Sequence, residues 1–64
     1  MAAPADIERE IAYVEDRIAL LSLRVGRSKN NDGIDAGETT SGLEKRVNGY
    51  EVKLKELQEE LKAD

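Results

Sequence analysis

Two stripes of apolar residues constrain this chain more than anything else in it. The first is Ile7, Ile11, Val14, Ile18, Leu21 and Val25; the second is Leu43, Val47, Tyr50, Leu54, Leu57 and Leu61. Both run at spacings of 4, 3, 4, 3, 4, which keep side chains on one seam of an α-helix in a heptad pattern. The stripes also mirror one another. Paired head to tail, from Ile7 with Leu61 to Val25 with Leu43, every couple of residue numbers adds to 68, so each seam residue faces another without slippage. Two helices folded back on one another need that symmetry, and a single continuous rod does not. The fold class that follows is all-α, an antiparallel two-helix coiled-coil hairpin.

The segment ends carry helix signals. Pro4 suits a first-turn position, and Asp6, Glu8 and Glu10 place negative charge where the helix dipole favours it. Gly26 follows the last seam residue and can stop a helix in the left-handed conformation, while Ser41 and Glu44 form a Ser-x-x-Glu capping box. The expected organisation is one domain over 1–64, with a helix over about 4–25, a polar loop over 26–41 and a helix over about 42–62. Gly49 is the weak point of the second helix.

Charge complicates the hairpin. With Ile7 and Val14 taken as heptad d positions, the e positions are Glu8, Glu15, Ser22, Glu44, Glu51 and Gln58, and the g positions are Glu10, Arg17, Arg24, Arg46, Lys53 and Glu60. Antiparallel packing then sets Glu15 near Glu51, Arg17 near Lys53 and Arg24 near Arg46. Such exposed like-charge neighbours cost only a few tenths of a kcal/mol each, roughly, too little to overturn twelve matched apolar positions. One flank is left mostly acidic and the other mostly basic.

Composition narrows the function classes. The chain has no cysteine and no histidine, which removes disulfides, thiolate zinc sites and Cys- or His-based nucleophile systems. It is 38% charged with two tyrosines as its only aromatics, a coiled-coil profile. The longest apolar run, Ile18 to Leu21, is far too short for a signal peptide core or a membrane span. A soluble cytoplasmic protein is expected, and the open helical pattern at the end leaves room for a longer parent chain.

The loop invites a metal reading. With Gly33 as the sixth position of a calcium loop, Ser28, Asn30 and Asp32 supply oxygens at positions one, three and five. The second half fails, because Asp35 stands where an apolar residue is usual and Thr39 stands where a bidentate Glu is needed. The loop therefore reads as turn chemistry: Asn-Asp-Gly tolerates positive φ, and a connector of this length is either mobile or engaged in recognition. No cofactor, no metal site and no catalytic residues are expected, since paired carboxylates such as Glu59 and Glu60 fall on exposed helix faces.

What remains is an interaction protein. A 64-residue hairpin buries too little surface to be comfortable alone, so self-association into a helical bundle is expected. Helix one carries apolar residues off its seam, and Ala19, Leu20 and Leu23 are expected to be buried between subunits. A protein partner on that helix face or on loop 26–41 is the related possibility. The alternative function is a small nucleic-acid-binding regulator using Arg24, Arg27 and Arg46 at the basic loop end, against which stands a net charge of −4.

Overall fold

The computed structural model describes residues 3–63; the remaining ends of the expected 1–64 domain, residues 1–2 and 64, lie outside it. Helix α1 spans Pro4–Lys29, strands β1 (Ile34–Asp35) and β2 (Glu38–Thr39) form a small antiparallel hairpin, and helix α2 spans Thr40–Lys62. The two helices pack side by side along a rod 46 Å long.

The seam is layered as the mirrored spacing requires. Every buried residue is a d position: Ile7, Val14, Leu21 and Ser28 in α1, and Leu43 and Leu57 in α2. The a positions, Ile11, Ile18, Val25, Val47, Leu54 and Leu61, are only partly buried. Each layer therefore joins one closed d residue to one half-open a residue, except the Ile18–Tyr50 layer, where both are half-buried. Leu21 and Leu43 are fully buried at adjacent layers, while Ile7, Val14 and Leu57 form a cluster with Tyr50 and the neighbouring a residues packed around it.

Both helices run beyond the expected limits. Gly26 does not terminate α1, which continues to Lys29 and is closed by Asn30, whose N–H reaches Arg27 O at 3.1 Å and Gly26 O at 3.3 Å. The cause is one more layer in the same register. Ser28 Oγ lies 2.6 Å from Thr40 Oγ1, and these numbers too add to 68. Ser28 also donates to Val25 O at 2.7 Å, so its hydroxyl is satisfied although wholly buried. Continuing the helix through a glycine costs about 1 kcal/mol, and what the continued helix gains is this buried layer and the contact of Arg27 with Asp35.

The start of α2 is also displaced. Ser41 is not the cap. Thr39 at the end of β2 is already extended, and its Oγ1 accepts from Gly42 N–H at 3.0 Å, so the helix begins at Thr40. The all-α expectation is thus corrected by a two-stranded sheet, and the connector shrinks to residues 30–39.

Two substitutions test the layering in opposite directions. Leu21→Ala, at a site with no exposed surface, should lower unfolding free energy by about 2–5 kcal/mol. Gly49→Ala should raise it by about 0.5–1 kcal/mol, because Gly49 is helical without a positive φ and an added Cβ there meets nothing within 4 Å. Urea unfolding followed by circular dichroism measures both.

Candidate functional site

The loop end of the hairpin is held by charge. β1 and β2 are joined by Ala36 and Gly37, with φ of 51° and 83°, the two left-handed residues of a tight two-residue turn whose twist suits a β-hairpin. The turn leaves Asp35 and Glu38 side by side at the register pair that closes it. Thr40 N–H donates to Gly33 O at 3.0 Å, and Asn31 Nδ2 donates to Ile34 O at 3.0 Å, fixing the base of the hairpin.

Three arginines converge on those two acids. Arg24 donates from Nε to Asp35 Oδ2 at 2.9 Å and from Nη2 to Asp35 O at 3.1 Å, and its Nη1 lies 2.8 Å from Glu38 Oε1. Arg27 Nη2 reaches Asp35 Oδ2 at 3.3 Å from the rim. Arg46, on the other helix, places Nη1 at 2.7 and 2.9 Å from the two Glu38 oxygens. The expected repulsion between Arg24 and Arg46 is thereby converted into a bridge through Glu38. At the g flank further along, Lys53 stands 3.9 Å from Glu10 across the helix pair.

These contacts shift the titrations in one sense. Hydrogen bonding from Arg24 holds the Asp35 carboxyl below its ordinary range, against the opposing effect of desolvation, and Arg46 does the same for Glu38. Arg24 is raised in turn, chiefly by its bond to Asp35. Both acids are therefore ionised at neutral pH and already fully engaged, the reverse of what a general acid or base requires.

The other candidate residues are placed differently. Leu20 and Leu23 are 44% and 68% exposed, and Ala19 is exposed beside them, all on the back of α1 away from the seam. Arg24, Arg27 and Arg46 come together, but with acids of the same chain. Sequence reasoning missed Asp35 and Glu38, although two acids spaced by a small residue and a glycine within a basic region carry the signal. Among the described residues no group of three or more carboxylates gathers to hold a metal ion, and Asp32, at φ 55°, serves the turn that follows α1. Among the described residues no helix is long and apolar enough to cross a membrane.

Two open grooves flank the seam. One, of about 480 Å³, is lined by Ser22, Val25, Glu44, Val47 and Asn48; the other, of about 330 Å³, by Arg46, Gly49, Tyr50 and Lys53. No family model, curated protein or solved structure matches this chain.

The arginine clamp gives stability a defined pH sense. Asp35 and Glu38 have lowered folded-state pKa values, so their contribution is fully present above the unfolded values and is lost as pH falls through the folded ones. The wild-type melting temperature should drop below about pH 4, with the Gly37 amide resonance moving in the same interval. In Arg24→Gln the melting temperature at pH 7 should be lower and the acid-side fall shallower. An unchanged acid limb in that variant would show that the clamp contributes nothing.

Proposed function

We propose that this chain is a non-enzymatic helical interaction module that acts by burying exposed helix surface, first against copies of itself and also against helices of other proteins. The observation that supports it most is the stripe on the back of α1. Tyr13, Leu20 and Leu23, at 59%, 44% and 68% exposure, cannot be covered by a seam that already uses Leu21 and Val25. Ala12 and Ala19 beside them allow close backbone approach. A small hairpin with that much apolar surface gains stability by association.

The nucleic-acid alternative draws less support. Arg24, Arg27 and Arg46 are its phosphate ligands, and each already binds Asp35 or Glu38. Three guanidiniums against two carboxylates leave this cluster one excess positive charge, on a chain of net charge −4.

Sedimentation equilibrium across a concentration series tests the reading. The native chain should sediment as more than one copy, and Leu20→Gln with Leu23→Gln should give a smaller particle whose melting temperature depends less on concentration. Removing two large apolar contacts per subunit, at roughly 1.5–3 kcal/mol apiece, is enough to shift assembly by orders of magnitude. A native monomer at all concentrations would remove self-association. Binding to DNA at low salt that vanishes with charge reversal at Arg24 and Arg46 would favour the alternative.

A further inference from the structure

The half-open a row is a second surface, distinct from the back of α1. Ile11, Ile18 and Val25 on one helix and Val47, Leu54 and Leu61 on the other remain partly exposed, while the d row is closed everywhere but at Tyr50. In an antiparallel pair the a and e positions of both helices share one broad side and the g positions share the other. The β-hairpin folds over the g side, because Arg24 and Arg46 are the g residues that bind it. The a side is left uncovered along its length, and it opens at the loop end into the groove of about 480 Å³ between Val25 and Val47.

The e positions that form the rails of this furrow carry only negative charge, with Lys55 and Lys62 further out at the b positions of α2. Glu8 and Glu15 on α1 and Glu44 and Glu51 on α2 occupy the e positions and are all exposed, with the neutral Ser22 and Gln58 completing the rows from 8 to 22 and from 44 to 58. We propose that this face docks a single amphipathic helix of another protein, with an apolar stripe seated on the a row and lysines or arginines along both edges. A helix of that kind completes a three-helix bundle and neutralises both rails.

Charge argues against a second copy as the occupant. Laying this face fully on its own copy with the loops at opposite ends brings Glu15 over Glu15 and Glu51 over Glu51 of the other chain; with the loops at the same end it brings Glu15 beside Glu51. Like charges meet either way. The proposal extends the helix-binding reading above to a face that Leu20 and Leu23 do not share.

The test uses the full chain and three synthetic peptides of about three heptads, followed by fluorescence anisotropy at low salt and by amide chemical shifts. One peptide has Leu and Ile at a and d with Lys at e and g, one has Glu at e and g, and one scrambles the lysine peptide to destroy its stripe. The lysine peptide should bind at least tenfold more tightly than either control, with the largest shifts at Val25, Val47 and Leu54. In Glu15→Lys with Glu51→Lys, both on exposed positions and checked for folding by circular dichroism, the four rail charges sum to zero and the preference for the lysine peptide should be lost. Equal binding of the scrambled peptide, or no binding of the lysine peptide, overturns the proposal. Shifts centred on Leu20 and Leu23 overturn it while leaving the helix-binding reading in place, and the sedimentation result reports on self-association independently.

Discussion

The register between the two helices is the constraint on which everything else depends. Because each layer couples a d residue of one helix to an a residue of the other, the pairing cannot slip by one position without moving closed side chains into water. That same register, carried one layer past the apolar seam, brings Ser28 to Thr40 and so decides where the helices end. The polar layer stops the hydrophobic seam without leaving a buried group unsatisfied. It also sets how far apart the helix ends stand, and the tight β-hairpin is the connection that spans them.

The two flanks of the seam then divide the labour. On the g side, basic residues from both helices are gathered by Asp35 and Glu38, so an arrangement that begins as like-charge crowding ends as a bridge. On the e side no such acid–base exchange occurs, and the glutamate rows remain free beside a partly open apolar row. The asymmetry is a direct result of d-centred packing. It gives a flat hairpin two chemically different faces, with the back of α1 as a third apolar surface.

The hairpin was legible in the sequence because heptad spacing and its mirror image are long-range regularities carried by twelve side chains. Helix ends were not, because they rest on individual contacts that the heptad spacing does not encode. Gly26 has the chemistry of a helix stop, and only the tertiary partners of Ser28, Arg24 and Arg27 carry the helix past it. Ser41 has the chemistry of a cap, and only the extended conformation of Thr39 takes that role away from it. Ala36 at φ 51° gave no turn signal, since alanine seldom takes that conformation, although Gly37 beside it did. The exposed stripe of Tyr13, Leu20 and Leu23 was readable by elimination from the seam. The half-open a row was not, because heptad spacing gives a and d equal standing and only packing separates them.

The ion-pair clamp has a consequence for how the chain comes apart. Arg24 on α1 and Arg46 on α2 both hold the same short hairpin, so the helices are fastened twice at one end and only by Ile7 and Leu61 at the other. Fraying begins at the free end and travels towards the turn, each opened layer lengthening the unfastened arms while the clasp stays shut. Closing the ten-residue span loses little loop entropy, and each layer added after it brings only contacts next to those already formed. The molecule behaves as a zipper with its slider fixed at the turn, and amide protection should grade smoothly along the rod, highest near Leu21 and Leu43 and lowest at the chain ends.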